Sequence, residues 1–166
     1  LHLSIRRQRQ MCIRDRSRDE NGVRAGEYYL CPKDSNKSCV IDPYIYPING
    51  KDVLLTSMVV PINNNGQFIG MTGVDISADF LQSKVIDVDK RLYDGAGQML
   101  LLSPKGVIVA DSEHPELVGK NLKSIDAGLV EKIKAVSASG EGKIFADDSA
   151  LRVLKPFTLA QADKPW

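Results

Sequence analysis

Asp75 is the carboxylate of this chain best suited to binding chemistry. It ends a largely apolar run, Gln67 to Ile76, just after Gly70-Met71-Thr72-Gly73, and glycine in a strand lets another group approach the backbone closely. A carboxylate in such a setting is costly to bury unless it is paired. The sequence offers two kinds of partner: a group from outside the chain, or the backbone N–H groups of a helix starting near Ser77. Tyrosines form a second cluster. Tyr28, Tyr29, Tyr44 and Tyr46 are four of the five in the chain, and Tyr44 and Tyr46, two apart, share a face of the strand that holds them. A tyrosine is a rigid apolar wall with a polar tip, suited to sheet packing or to a pocket for a small polar ligand.

Other reactive side chains are too isolated for catalysis. His114 is the only histidine after residue 16, so the body of the chain has no histidine pair and no Cys–His dyad. Its setting, Asp111-Ser112-Glu113-His114-Pro115, reads as a surface loop. Cys31 and Cys39 supply only half of a tetrahedral zinc site. Lys120 and Asn121 read as structural loop residues, and Asp147-Asp148 as turn chemistry rather than a carboxylate pair. There is no phosphate-cradling glycine motif, nucleophile elbow or zincin motif. The expectation is a binding protein with no catalytic residue, no metal and no cofactor.

The elements that must position these side chains alternate between β and helical patterns. Val40 to Tyr46, Val53 to Ile62 and Gln67 to Ile76 read as three strands, separated by Ile48-Asn49-Gly50 and Asn63-Asn64-Asn65-Gly66. Asn-Gly supplies the positive φ angles of tight hairpins, so an antiparallel meander is expected. Ser77 is a plausible N-cap for a helix with Leu81, Val85 and Val88 on one face, ending before the turn Asp94-Gly95-Ala96-Gly97. Short strands follow at Gln98–Leu102 and Val107–Ala110. A helix is expected over Asp126–Ser137, with Leu129, Ile133 and Val136 on one face, and strands at Lys143–Ala146 and Ala150–Leu159. The order fits an antiparallel sheet covered by a helix, an α+β arrangement.

The first sixteen residues stand apart. Met11-Cys12-Ile13-Arg14-Asp15-Arg16 resembles a translated transposon-end adaptor of the kind used in sequencing libraries, and residues 1–16 are read as that artefact rather than as a native basic arm for nucleic acid or anionic lipid. Without their five Arg and one Asp, 17 basic and 20 acidic side chains remain, a net −3 in place of +1. No nucleic-acid partner is then expected. Hydrophobic residues at 43% and charged residues at 26% are ordinary globular values, so the chain can bury a core. No apolar run reaches the roughly 18 residues that span a bilayer.

Pro43–Ile62, PYIYPINGKDVLLTSMVVPI, followed by Gln67–Ser77, QFIGMTGVDIS, resembles the last three strands of the membrane-distal module in double-Cache sensor regions of bacterial methyl-accepting chemotaxis proteins. Pro104-Lys105-Gly106-Val107-Ile108-Val109-Ala110-Asp111 and Leu117-Val118-Gly119-Lys120-Asn121-Leu122 are similar to the membrane-proximal module. The resemblance implies PAS-like antiparallel sheets with covering helices. Residues 17–89 would be the trailing part of the distal module and a connecting helix, and residues 90–166 the proximal module. It also implies truncation at both ends, with a long helix and the first distal strands before residue 20 and membrane anchors outside the sequence.

The same resemblance implies a periplasmic, extracytoplasmic sensing region of an inner-membrane chemoreceptor, homodimeric in the full receptor. The alternatives are a histidine kinase or diguanylate cyclase output and, behind it, a small soluble enzyme or a structural module without ligand. It assigns the GVDI aspartate, Asp75, to an ammonium group of the ligand and places ligand contacts among Tyr28, Tyr29, Tyr44 and Tyr46. Members that bind amino acids carry an Arg two residues before an aromatic of the pair. Here Arg24 lies four before Tyr28, and Glu27 adjoins the pair. Glu27 with Asp75 would favour a cation such as a polyamine, through charge pairing and aromatic contacts. The ligand class expected is an amine, an amino acid or a similar polar metabolite. Because the resemblance puts the region outside the cytoplasm, a Cys31–Cys39 disulfide is expected across the polar loop between them.

Overall fold

The computed structural model describes residues 17–19, 22–146 and 150–158. The adaptor-like residues 1–16 and the Asp147-Asp148 turn lie outside them. Helix α1 (Glu27–Ser35) leads into an antiparallel meander of β1 (Cys39–Ile48), β2 (Lys51–Asn64) and β3 (Gln67–Ser77). Helix α2 (Ala78–Asp89) follows directly, then the hairpin β4 (Leu100–Leu102) and β5 (Ile108–Asp111). Helix α3 (Ala127–Ser139) precedes a second hairpin, β6 (Lys143–Ala146) and β7 (Leu151–Leu154). The fold is α+β, with antiparallel strands and flanking helices.

Local chemistry accounts for most of these boundaries. Asn49 and Gly50, with φ of 51° and 76°, join Ile48 to its partner Lys51. Asn65 and Gly66, at 49° and 80°, do the same between Asn64 and Gln67. Both are two-residue hairpin loops whose positive φ matches the twist of the strands. The Ser77 hydroxyl accepts from the Phe80 N–H and starts α2, and the Asp126 carboxylate accepts from the Leu129 N–H and starts α3. Gly140 closes α3 in the left-handed conformation.

Helix α1 departs from the sequence expectation of a turn-rich loop between the two cysteines. Pro32 sits inside it and lysine, aspartate and serine follow, so neither helical period nor propensity marks it. Tertiary packing supplies the missing stability: Leu30 and Pro32 are buried, and Asn36 ends the helix with φ of 55°, its N–H on the Pro32 carbonyl. Cys31 is bonded to Cys39 at a Cα–Cα distance of 6.3 Å, which straps α1 to the start of β1. Val23, Cys39, Ile41 and Val59 form the small core beneath, with Tyr28, Cys31, Tyr44 and Met71 packed against it.

A second core surrounds β5. Val107 through Asp111 are all nearly inaccessible, because β4 pairs along one edge of the strand and residues 119–122 along the other. The bonds on that second edge run from Ile108 N–H to Lys120 O and from Gly119 N–H to Ile108 O. Asp111 is 2% exposed, yet its carboxylate accepts from the Gln98 side chain and from the backbone N–H groups of Glu113 and His114. Those bonds replace the water it has lost. Two contacts tie this part to the meander. Asp42 of β1 accepts from the Lys105 backbone N–H at 3.0 Å, and Gln82 of α2 bonds both the N–H and the carbonyl of Asp111.

The disulfide closes a short loop, so its loss is expected to lower the free energy of unfolding by about 2–3 kcal/mol. Urea denaturation of the Cys31→Ser/Cys39→Ser protein against the oxidised wild type checks this. Thiol labelling without reductant should modify neither cysteine.

Candidate ligand-binding site

Three strands bring side chains from distant parts of the sequence onto one sheet face. Ser57 lies opposite Ile41 on β1 and opposite Asp75 on β3. In β1 the register shifts between Ile41 and Tyr44, where Asp42 and Pro43 insert one extra residue, so Tyr44 pairs with Leu55 and Tyr46 with Val53. A bulge of this kind re-aims the strand beyond it, and proline, with no N–H to give to the ladder, is tolerated there. Unbulged, Tyr44 and Tyr46 would fall on the opposite face from Ser57. The insertion turns both toward it.

The result is a hydrogen-bonded chain. The Tyr44 hydroxyl is 2.8 Å from Ser57 Oγ, and Ser57 Oγ donates to Asp75 Oδ1 at 2.6 Å. Ser57 is fully buried, whereas Asp75 is exposed. Tyr46 meets Tyr44 edge to face, with ring centroids 6.5 Å apart. Burial pushes the Tyr44 phenol above its ordinary pKa. The bond to Ser57 opposes that shift, while Asp75, Tyr28 and Tyr46 add to it. Asp75 does not cap α2; Ser77 holds that position. Beside the tyrosines opens a groove of about 830 Å³, lined by Tyr44, Tyr46, Arg24, Asp52, Leu54, Val118 and Gly119 among others. Asp75 is not part of that lining and is linked to it through Ser57 and Tyr44.

The remaining sequence-derived candidates fall in different places. Tyr28 packs on the small core next to Tyr44. Tyr29 turns to the other end of the sheet, edge-on to Phe68 at 5.5 Å and under the Lys33 ammonium. Glu27 is held by the Arg24 guanidinium through two bonds, of 2.6 and 3.0 Å, and Arg24 also reaches Asp34 at 2.9 Å. The bond from Arg24 lowers the Glu27 pKa and outweighs its partial burial. Its charge is therefore matched within the chain. Arg24, whose spacing from Tyr28 does not match the carboxylate clamp of amino-acid-binding relatives, is occupied by the same pair. His114 is exposed, 3.3 Å from the Glu116 carboxylate. No cluster of three or more metal-ligating side chains occurs among the described residues.

Ser57 was absent from the candidates. Its signal is a hydroxyl pair, Thr56-Ser57, in the middle of an otherwise apolar strand, since a buried polar group there must have a partner. Thr56 satisfies itself on the Ile41 carbonyl. Ser57 turns to Asp75.

Comparison with known proteins places this α+β fold and its antiparallel meander. Residues 3–83, a span that begins inside the adaptor-like segment, match the family model for the methyl-accepting chemotaxis protein-like, first PDC sensor domain. The chain carries a sensor domain of this PDC, or Cache, family. It is 34% identical over 154 residues to the methyl-accepting chemotaxis protein TlpQ of Pseudomonas aeruginosa, an alignment covering 93% of this chain and 22% of TlpQ. The chain thus spans about a fifth of that relative's length. It superposes on the solved structure of Methyl-accepting Chemotaxis protein X with a TM-score of 0.62 at 27% identity, over 90% of this chain and 59% of that one. The extracellular domain of the putative histidine kinase mmHK1S-Z3 gives a TM-score of 0.61 at 30% identity, over 73% and 42% of the two chains.

Gly73, two residues before Asp75, is where close approach matters. A Cβ there would overlap the Met58 carbonyl oxygen and the Val59 side chain, whereas at Gly70 it would meet nothing within 4 Å. Gly73→Ala is expected to lower stability by about 1–3 kcal/mol, because it pushes β3 off β2. Gly70→Ala should change it by less than about 0.5 kcal/mol. Urea midpoints of the two variants make the comparison.

Proposed function

We propose that this chain is the ligand-capturing, extracytoplasmic part of a bacterial chemoreceptor, and that it binds a small polar molecule bearing an ammonium group. The observation that carries the reading is Asp75: an exposed carboxylate fixed by a fully buried serine, on the face that also presents Tyr44 and Tyr46. The carboxylate supplies charge, the phenol rings supply apolar walls, and the groove beside them gives a small molecule room. Glu27 contributes less to such a ligand, since Arg24 already neutralises it.

Residues 17–89 would then be the trailing part of the distal module with its connecting helix, and residues 90–166 the proximal module. A ligand that binds one packing of the two more tightly shifts the population toward it, and the difference reaches the membrane as a small displacement. Among the described residues no helix is long and apolar enough to cross a membrane. The fold match to a putative histidine kinase supports a second reading of the output, with the same ligand face and a kinase in place of the signalling domain.

Asp75→Asn tests the ligand face. The side chains are nearly isosteric, and the amide oxygen still accepts from Ser57, so the fold is retained while the charge is lost. Loss of a charge-assisted hydrogen bond costs roughly 1.5–3 kcal/mol, and affinity should fall about ten- to a hundredfold. Calorimetric titration with the amine or amino acid that best stabilises the wild type in a thermal-shift screen measures it. Equal affinities would remove Asp75 as the anchor.

A further inference from the structure

The bond from Ser57 to Asp75 has a fixed direction. An ionised carboxylate only accepts, and a serine hydroxyl carries one proton, so Ser57 spends that proton on Asp75 Oδ1. At the Tyr44 end of the chain, 2.8 Å away, Ser57 can then only accept, and the single Tyr44 proton must point inward at it. Two consequences follow at the exposed end. Tyr44 offers the ligand lone pairs and no donor, and Asp75 offers its second oxygen on the same terms. The whole relay presents acceptors.

We infer that Ser57 is a specificity-determining residue: it orients the Tyr44 and Asp75 oxygens so that the site admits hydrogen-bond donors and rejects acceptors. The inference rests on the proposed ammonium site and adds a reason for its selectivity beyond charge. A ligand carboxylate meets two acceptors and a like charge. A carbonyl group finds no donor in the relay to repay its lost water, and a hydroxyl group can give its one proton there but finds no donor for its lone pairs. An ammonium group, with three donors, fits both oxygens at once. Burial makes the arrangement rigid, because Ser57 is 0% exposed and no water competes for its single proton.

The test removes the relay and asks which headgroup gains. Binding of n-butylammonium, 1-butanol and butyrate, three probes with one tail and different heads, is measured by ligand-observed NMR titration. Wild type, Ser57→Ala, Asp75→Asn and the Ser57→Ala/Tyr44→Phe double variant of the chain are compared. Wild type should rank the ammonium first and lose that preference in Asp75→Asn. In Ser57→Ala the Tyr44 hydroxyl is released and becomes a donor. Ammonium affinity should drop about three- to tenfold, the worth of one hydrogen bond, while 1-butanol gains. The double variant, with no phenol proton to give, should lose the gain.

A merely structural serine would weaken all three probes together. Ser57→Ala with an unchanged ranking, beside an intact Asp75 effect, overturns the role of Ser57 and leaves the ligand face standing. No ammonium preference in the wild type overturns both. Should Ser57→Ala fail to fold, tyrosine labelled at 13Cζ in the wild type decides the point, with Tyr44 assigned through Tyr44→Phe. A donating Tyr44 gives a downfield 13Cζ and a slowly exchanging hydroxyl proton, and an accepting one gives neither.

Discussion

The proposed ligand face depends on strand register. Side chains alternate along a strand, so a slip of one residue exchanges the two faces of a sheet. Two Asn-Gly turns start the pairing of β1 with β2 and of β2 with β3, and one extra residue in β3, between the partners Phe68 and Gly70, then brings Asp75 opposite Ser57. The extra residue at Asp42-Pro43 then brings Tyr44 and Tyr46 to the same side. Remove that insertion and the phenols face away from the carboxylate. The small core of Val23, Cys39, Ile41 and Val59 occupies the same face, under α1, so the core and the proposed ligand face share one surface and one register.

The bulge has a second role. Asp42, one of its two residues, is buried and spends a carboxylate oxygen on the Lys105 backbone N–H in the β4–β5 turn. The strand that carries Tyr44 is thus bonded to the other half of the chain two residues away from it. On the far side of the sheet, α2 continues straight from β3, and its Gln82 engages Asp111 as a neighbouring strand would, donating to the carbonyl and accepting from the N–H. In the proposed sensor, the two outer strands of the ligand face, β1 and β3, lead by short covalent paths to contacts with the β5 core. Packed interfaces of this kind change by small displacements between discrete arrangements, which suits a signal carried without chemistry.

Charge is distributed to the same end. Glu27 and Arg24 lie close in sequence to the tyrosines, and either would complicate recognition if left unmatched. The two-bond pairing, extended to Asp34, locks both into the frame around α1. Among the described residues Asp75 accepts from one hydroxyl, and in the proposed site its exposed carboxylate would answer an incoming cation.

Much of this fold was legible because its signals are local. Asn-Gly pairs demand positive φ, Ser77 and Asp126 have side chains that cap helices, and β-branched runs read as strands; each of these elements lies within a few residues of its expected bounds. Asp75 and the Tyr44–Tyr46 pair were legible for a similar reason, as polar groups in apolar strands whose period is two. Three things needed the tertiary structure. Helix α1 contains a proline and no apolar period, so its stability comes from packing and from the bond to Cys39. The face on which the tyrosines sit depends on one inserted residue, which a period-two pattern cannot locate. Ser57 has meaning only between partners 13 and 18 residues away, and long-range pairing of that kind is set by register rather than by any local preference of the sequence.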